Sequence, residues 1–410
     1  MKIKLINNSF FEITTNKNYK LVCDPWIGNM DDTGTWSYPN MSSNKKILNK
    51  IKPDLVYISH LHTDHYDEKI IKNLKNKNVK FLVKKFKDQR LKKKLLKLKV
   101  KNVLELEAWK TYNFKSFEIT IIPCDQSNNL SIDTFINYDL DTSILIYEKN
   151  SKTCFYNNVD NPCGMKILKK VLSIAKNKYG KIDIASFAPR PASEYPQNFI
   201  NLNNKEKLKF KENIISRTIK SAYSKCKNLS IKNYIPAGGS FIIYGKYHKL
   251  QKFVAHPSVK QMDNYFIKKK IKYYNIDNCG YVLMNNGNVI NYKKTKNKEE
   301  KFIFPKKLKK KKYLYQTKKV PVNFNINFYK ARENYYRLCK KLNIKKRWKI
   351  NFFLYKNLRI NNKYKIINKD LYTKKYQIYW NGKKNRNYKL NLYLDSKQFY
   401  QLINNLYNWN

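Results

Sequence analysis

Three of the five histidines in this chain of 410 residues fall within one short segment, residues 59–65, which reads Ser-His-Leu-His-Thr-Asp-His. His60 and His62 are two residues apart, so on an extended stretch their side chains point the same way and can bind one metal ion. Asp64 and His65 follow, and they can bind a second ion or orient a bound water. Because three clustered imidazoles would repel one another as cations, we favour a metal site over an exposed, pH-responsive loop.

The donor types indicate the ion and its chemistry. Imidazole and carboxylate groups suit zinc best, as one or two ions, with iron or manganese as alternatives. An ion with an open coordination position activates water. The segment therefore predicts metal-dependent hydrolysis with Asp64 as a catalytic residue.

The donor segment lies between a predicted buried strand, Leu55–Ser59, and a predicted helix, Asp67–Lys75. Over the first 260 residues, short stretches rich in β-branched and aromatic residues alternate with longer stretches whose apolar residues are three and four apart. The other predicted strands are Ile3–Leu5, Phe11–Thr14, Lys20–Cys23, Val79–Val83, Val103–Leu106, Phe117–Ile122, Ser143–Tyr147, Thr153–Tyr156 and Ile182–Ser186, and the other predicted helices are Asp88–Leu98, Met165–Asn177 and Lys205–Cys226. This order predicts a layered α/β fold in which helices cover sheets.

Three residues outside the segment are candidates for supporting roles. Asp24 follows an apolar strand and is predicted to accept a hydrogen bond from a motif histidine, although an Asp before a proline also suits a turn. Trp26 could form the wall of a pocket, with core packing as the alternative. Arg190 could bind a substrate phosphate or carboxylate, with an ordinary surface position as the alternative.

These stretches together resemble the metallo-β-lactamase fold. His60-x-His62-x-Asp64-His65 matches the H-x-H-x-D-H motif of that family. Upstream, Asp24-Pro25-Trp26 is similar to a stretch in the branch that contains ascorbate-phosphate lactonases, phosphatidylethanolamine-type phospholipases D and CMP-sialic acid hydroxylases. The resemblance covers roughly residues 1–260 and implies an αββα sandwich.

The same resemblance implies further ligands. Residues 141–146 and 155–161 are similar to the hydroxylase-like members, in which the matching residue, Asp160 here, bridges or binds the metals. Family enzymes take another histidine from the loop after the strand Phe117–Ile122; this chain has none there, so Cys124 or Asp125 is the candidate substitute. His248 and His256 are the candidates for a last histidine ligand. The hydroxylases also carry a Rieske centre, whose Cys-x-His and Cys-x-x-His pairs are absent from this sequence.

Basic residues outnumber acidic ones by 85 to 29, which gives a formal net charge of +56. Residues 301–410 hold 30 of the basic residues and three acidic ones, an excess of 30 − 3 = 27. Abundant Lys, Asn, Ile and Tyr have A/T-rich codons, so genome composition explains the charge as well as selection for a polyanionic partner does. The charge favours an anionic small-molecule substrate and leaves nucleic-acid binding through the basic tail open.

We expect three regions. Residues 1–260 form the metallo-β-lactamase-like domain, 261–319 an extension and basic linker, and 320–410 a small basic α+β domain. In the last region Lys349–Tyr355, Gln377–Trp380 and Tyr388–Leu394 are predicted strands, and Tyr329–Leu342 and Ser396–Tyr407 predicted helices.

The seven cysteines are scattered without a Cys-x-x-Cys pair, which indicates reduced thiols and a cytoplasmic protein rather than a disulfide framework. No apolar run approaches the ~18 residues of a membrane span. The sequence leaves the oligomeric state open.

The predicted function is hydrolysis of an anionic substrate, namely a phosphoester, a lactone or a nucleotide-linked sugar, by a metal-activated water. One alternative is a sugar-modifying, hydroxylase-like protein that works with a separate redox partner. The other is a non-catalytic or nucleic-acid-binding member of the same fold.

Overall fold

The computed structural model describes residues 1–27, 36–37, 51–74, 78–86, 89–124, 141–161, 163–191, 193–239 and 241–294. After residue 294 it describes only the strands at 347–355, 359–360, 366–367, 375–381 and 389–395.

The first sheet has eight strands. They are β1 (Lys2–Asn7), β2 (Phe10–Thr14), β3 (Lys20–Cys23), β5 (Leu55–Tyr57), β6 (Lys80–Lys84), β7 (Val103–Leu106), β16 (Gly280–Asn285) and β17 (Asn288–Lys293), in the order β17-β16-β1-β2-β3-β5-β6-β7. From β3 to β7 the strands are parallel. A two-stranded ribbon beside the sandwich pairs β4 (Trp36–Ser37) with β14 (Ile242–Ile243).

The second sheet has seven strands. They are β8 (Thr111–Phe114), β9 (Phe117–Ile122), β10 (Ser143–Glu148), β11 (Thr153–Asn157), β12 (Ile184–Phe187), β13 (Asn233–Pro236) and β15 (Lys272–Tyr273), in the order β15-β13-β12-β11-β10-β9-β8. The strands β11, β12 and β13 are parallel.

The two sheets face each other across one apolar core. Alternate residues of β5 divide between its faces: Leu55 and Tyr57 join the core between the sheets, and Val56 joins the layer outside. Ile119 and Ile121 of β9 meet that core from the second sheet. Strands with both faces buried must be apolar at nearly every position, which explains why these segments were recognisable in the sequence.

Helices cover both outer faces. The helices α1 (Glu68–Leu74) and α2 (Arg90–Lys97) pack on the first sheet through Ile70, Ile71, Leu91 and Leu95. The helices α3 (Met165–Tyr179), α4 (Asn204–Asn228) and α5 (Val259–Ile267) pack on the second, and a 3₁₀ helix spans Gly245–Phe253. The predicted αββα sandwich is therefore confirmed, with all ten predicted strands and four predicted helices of residues 1–260 in place within a few residues.

The sandwich continues past residue 260. The strand β16 pairs with β1 from Lys2↔Leu283 to Leu5↔Gly280, and Val282 is fully buried between the sheets. The sandwich therefore includes strands from both sides of residue 260, and the domain boundaries stay predictions.

Farther along, the predicted strands are present as β18 (Arg347–Tyr355), β21 (Lys375–Asn381) and β22 (Lys389–Asp395), in a sheet of order β21-β18-β22. The short strands β19 (Arg359–Ile360) and β20 (Ile366–Ile367) form a separate pair. The predicted helices at 329–342 and 396–407 lie outside the described residues. Where the structure describes the chain, no helix has the length and apolar character needed to cross a bilayer.

Candidate metal centre

The candidate donors gather at one edge of the sandwich because strands of both sheets end there. In the first sheet β3 and β5 run parallel with Cys23 opposite Tyr57, so Asp24 and the histidine segment leave the sheet side by side. In the second sheet Asp160 follows the carboxyl end of β11. Segments beyond the carboxyl ends of parallel strands meet at a common edge, which is where α/β proteins place their ligands.

One group of donors consists of His60, His62 and Asp141. The Nε2 atom of His60 lies 2.8 Å from Nδ1 of His62 and 3.2 Å from Oδ1 of Asp141. All three donor atoms lie within 4.8 Å of one another. Two imidazoles and one carboxylate converging in this way suit one transition-metal ion.

A second group lies beside the first. Nε2 of His65 is 3.0 Å from Oδ2 of Asp160 and 3.4 Å from Oδ2 of Asp64. The rings of His60 and His65 are 4.2 Å apart between centroids, so His60 also falls within 4.8 Å of His65 and Asp160. The arrangement therefore has room for two neighbouring ions.

The chemistry of the two groups fits a resident divalent cation. The histidines His60 and His65 are buried, whereas the side chains of Asp141, Asp64 and Asp160 are 23%, 27% and 30% exposed. His60 and His65 thus form the floor, whereas His62 and the carboxylates face solvent. Mixed imidazole and carboxylate donors are compatible with zinc, iron and manganese.

A buried carboxylate orients both floor histidines. Asp24 is fully buried and accepts hydrogen bonds from the Ser59 backbone N–H at 2.7 Å and the Ser59 hydroxyl at 2.8 Å. Its Oδ2 also lies 3.0 Å from Nδ1 of His65, and the Ser59 hydroxyl lies 2.8 Å from Nδ1 of His60. When both Nδ1 atoms carry the proton, both Nε2 atoms are left free to bind metal.

Burial and neighbouring charges shift the pKa values of His60 and His65 in opposite directions. Burial lowers the pKa of His60 well below its ordinary value, and the adjacent His65 and His62 lower it further. Burial also disfavours charged His65, but Asp64, Asp160 and Asp24 outweigh it and raise its pKa well above the usual range. Although burial opposes ionisation of Asp64, His65 lowers the pKa of that carboxyl to about 2. The site therefore favours ionised carboxylates around a positive charge.

A strained turn carries Asp160. Val159 has φ 52°, a left-handed conformation that is rare for a β-branched residue. Its N–H donates to Oδ1 of Asn157 at 3.3 Å, and Asn158 donates from Nδ2 to the carbonyl of Asn161 at 2.8 Å. Asn161 in turn donates to the hydroxyl of Ser143, which ties the turn to the start of β10. These hydrogen bonds keep Val159 in its strained conformation, next to the donor Asp160.

The other candidate ligands do not join either donor group of the described residues. Cys124 is buried and forms no disulfide among the described residues, and Asp125 lies outside the described residues. His248 lies on the 3₁₀ helix with Nδ1 2.9 Å from the carbonyl of Gly245. His256 packs edge-on against Phe241 at 4.6 Å, and burial lowers its pKa well below the ordinary value.

The two substrate-binding candidates are mostly buried. Trp26 is 6% exposed, which is the burial that its core-packing alternative describes, and Arg190 is 8% exposed, so it does not occupy the ordinary surface position of its alternative. Arg190 lies near the donors: a Cβ on Gly239 would sit 2.1 Å from its carbonyl oxygen, and a Cβ on Gly238 would sit 3.2 Å from Oδ1 of Asp160.

Two residues of the centre were not identified as site residues from the sequence. Asp141 lies two residues before the buried strand β10, so it is close to a strand end, as is Asp24. Ser59 closes the predicted strand before His60, and its role depends on contact with Asp24, 35 residues away in the sequence.

Residues 2–135 match the family model of the β-lactamase superfamily domain. No curated protein matches the sequence.

Solved structures similar to this chain include a possible metal-dependent hydrolase from Veillonella parvula, with 13% identity over 66% of this chain and 92% of that one and a TM-score of 0.43. YhfI, a metallo-β-lactamase fold protein from Bacillus subtilis, has 11% identity over 66% and 93%, with a TM-score of 0.39. CmlA, a diiron β-hydroxylase from Streptomyces venezuelae, has 13% identity over 66% of this chain, which spans about half (52%) of that protein, with a TM-score of 0.44. With identities and TM-scores this low, no inference about the chemistry of this chain rests on them.

Proposed function

We propose that this chain, which has the metallo-β-lactamase fold, is a metal-dependent hydrolase of an anionic substrate. The observation that carries the proposal is the pair of adjacent donor groups, His60 with His62 and Asp141, and His65 with Asp64 and Asp160. A divalent cation bound there supplies a Lewis acid and lowers the pKa of a coordinated water toward neutrality.

The side chains of this chain would divide the remaining work. Asp24 and Ser59 keep the imidazoles of His65 and His60 in the orientation that directs Nε2 into the site. Asp64, whose pKa of about 2 keeps it ionised, would accept a hydrogen bond from the attacking water and so orient it. Its partial exposure supports that role, since a base must reach the water that it orients.

Positive side chains beside the centre favour an anionic substrate. Lys225 of α4 interacts electrostatically with Asp160, and its Nζ lies 5.4 Å from the centroid of the Phe187 ring at the end of β12. The backbone of Arg190 lies against Gly239, and its charge acts on His256. A phosphate or carboxylate near these cations would be attracted at short range, and the net charge of +56 adds a long-range field.

The proposal is tested by loading the metal-free full-length protein with zinc, manganese or iron and assaying a phosphodiester, a phosphomonoester and a lactone. Metal-dependent turnover of one of them should fall by at least about 10²-fold in His60→Ala. A chain that binds none of these ions, or whose turnover survives His60→Ala, would rule the proposal out.

A second function is favoured by the group His60, His62 and Asp141. Two histidines and one carboxylate are the donor set of non-haem iron oxygenases, so a hydroxylase-like protein with a separate redox partner is the alternative. Oxygen consumption by the iron-loaded protein with an added electron donor, and none of the hydrolysis above, would select it.

A further inference from the structure

With His60 assigned to the first donor group, the second donor group is short of one ligand. Asp64, His65 and Asp160 supply three donor atoms. Neither His248 nor His256 joins them where the structure describes the chain. A divalent cation takes at least four ligands, so any further protein ligand must come from another side chain at this position.

Asn8, in the turn between β1 and β2, reaches this position. Its Nδ2 atom lies 3.2 Å from Oδ2 of Asp64, the same oxygen that faces His65. The residue is 3% exposed, and its Oδ1 atom is buried with no hydrogen-bond partner among the described residues. A buried amide oxygen without a partner is costly unless something binds it.

A 180° rotation of the Asn8 side-chain amide would give this oxygen a binding partner. The two ends of an amide are assigned from their hydrogen bonds rather than seen, so the oxygen can take the place of the nitrogen. Without a cation the NH₂ group donates to the Asp64 carboxylate. With a cation the oxygen can bind it, because the ion offsets the repulsion between the amide oxygen and the carboxylate.

The separations suit a coordination sphere. Nδ2 of Asn8 lies 3.2 Å from Oδ2 of Asp64. Nε2 of His65 lies 3.4 Å from the same Asp64 oxygen and 3.0 Å from Oδ2 of Asp160. Ligands bonded at about 2.1 Å are about 3.0 Å apart at right angles and about 3.4 Å apart at the tetrahedral angle.

The backbone at Gly238 leaves the space between Asn8 and Asp160 unfilled. The carbonyl of Asn8 accepts the N–H of Gly238 at 3.0 Å, which fixes the turn against the loop after β13. A Cβ on Gly238 would lie 3.2 Å from Oδ1 of Asp160 and 3.4 Å from the hydroxyl of Ser9. A larger residue at 238 would therefore crowd the space between Asn8 and Asp160.

We propose that the side-chain oxygen of Asn8 is a metal ligand that completes a second cation position with Asp64, His65 and Asp160. This position has one nitrogen and three oxygen donors, a set that suits Mn²⁺ and related hard cations better than the nitrogen-richer position at His60, His62 and Asp141. The inference rests on the proposed metal-dependent function and extends it to the number and type of ions.

The test counts Mn²⁺ bound to the metal-free full-length protein by calorimetric titration, with free Mn²⁺ measured by electron paramagnetic resonance. Asn8 has φ 41°, so Asn8→Gly deletes the side chain without backbone strain. Asn18→Gly is the matched control, because Asn18 has φ 58° in the turn at the far end of β2. Asn8→Asp keeps an oxygen in place.

We expect two ions per chain in the wild type and in Asn18→Gly. In Asn8→Gly one of the two should bind at least about tenfold more weakly, and Asn8→Asp should restore it. Wild-type binding of only one ion at saturation, unchanged binding in Asn8→Gly, or no restoration by Asn8→Asp would overturn the inference. Because turnover is not measured, two ions that depend on Asn8 in a protein that hydrolyses nothing would count against the proposed hydrolase alone.

Discussion

A single carboxylate governs the orientation of two histidines. Asp24 contacts His65 directly and reaches His60 through the hydroxyl of Ser59. All four side chains are buried, so water cannot replace a lost hydrogen bond. The metal affinity of the centre should therefore depend on a residue that does not itself bind the ion.

Replacing Asp24 with Asn tests this dependence. An amide NH₂ accepts no hydrogen bond, so either the Ser59 N–H or the pair formed by the Ser59 hydroxyl and His65 would lose its acceptor. We therefore expect metal affinity to fall by about 10–100-fold in a chelator competition titration. Asp54→Asn is the control, since Asp54 accepts the N–H of Lys20 at 2.8 Å at the opposite ends of β3 and β5. Equal affinities of the two variants would contradict the prediction.

His256 makes folding sensitive to pH in a way that is separate from metal binding. Its Nε2 atom is buried with no hydrogen-bond partner among the described residues, and Arg190 and Lys211 oppose its protonation. Its pKa in the folded state lies well below 6.5, so the unfolded chain binds a proton more readily. The contribution of neutral His256 to the free energy of unfolding is therefore fully present above about pH 6.5 and is lost as the pH falls below it.

The His256→Gln variant should therefore lose less stability on acidification. We expect the decrease in the free energy of unfolding between pH 7.5 and pH 5.5 to be smaller than in the wild type, by up to about 1.4 kcal/mol for the one pH unit below 6.5. Urea unfolding at the two pH values measures it, with His248→Gln as the control. Parallel losses in all three proteins would show that His256 does not titrate in this way.

At the scale of the elements, one hydrogen-bonded contact aligns the two sheets at the centre. The hydroxyl of Tyr57, at the end of β5, lies 2.6 Å from that of Thr142, and Thr142 donates to the carbonyl of Ser59 at 2.9 Å. Thr142 follows Asp141 directly, and Ser59 precedes His60. The contact therefore holds donors from different sheets at a fixed separation.

The Thr142→Val substitution tests this alignment of the donors from the two sheets. It leaves Tyr57 and the Ser59 carbonyl without this partner, which costs about 1–3 kcal/mol. We expect weaker binding of the ion held by His60 and Asp141 as well as a lower melting temperature. The control is Thr120→Val, which breaks the 2.9 Å hydroxyl pair with Thr111 and should lower stability alone. Unchanged metal affinity in Thr142→Val would refute the alignment role.

At the scale of the whole molecule, the sandwich is closed by a segment distant in sequence. Ile276, Val282 and Met284 are at most 1% exposed in the core between the sheets. Cys279 donates its N–H to the carbonyl of Leu5 at 2.7 Å. Without these residues β1 would lose one of its two neighbours, and the core would open to water.

A chain ending at residue 260 should therefore fail to fold cooperatively, whereas one ending at residue 294 should unfold in a single transition. Circular dichroism melts of the two truncations measure this, with the full chain as the reference. Similar cooperative transitions in both truncations would mean that β16 and β17 are dispensable.

The elements recognised from the sequence are those with local signals. The strands β3, β5, β9 and β10 are apolar because both of their faces are buried. The strand β17 was missed because it lies at an edge and carries exposed Asn and Lys residues, so its composition resembles that of a loop. The pairing of β1 with β16 joins residues about 280 positions apart, and no local pattern encodes it.

The sequence by itself determined the class of the centre. The spacing of His60, His62, Asp64 and His65 after a buried strand favours metal chemistry, because their types and local geometry are set within a few residues. Only the tertiary structure decided which distant residues join them. Asp141 arrives from the second sheet and Asn8 from the first turn, while Cys124, His248 and His256 lie outside the two donor groups of the described residues. These choices depend on how the two sheets pack face to face, which is a property of the whole core rather than of any one segment.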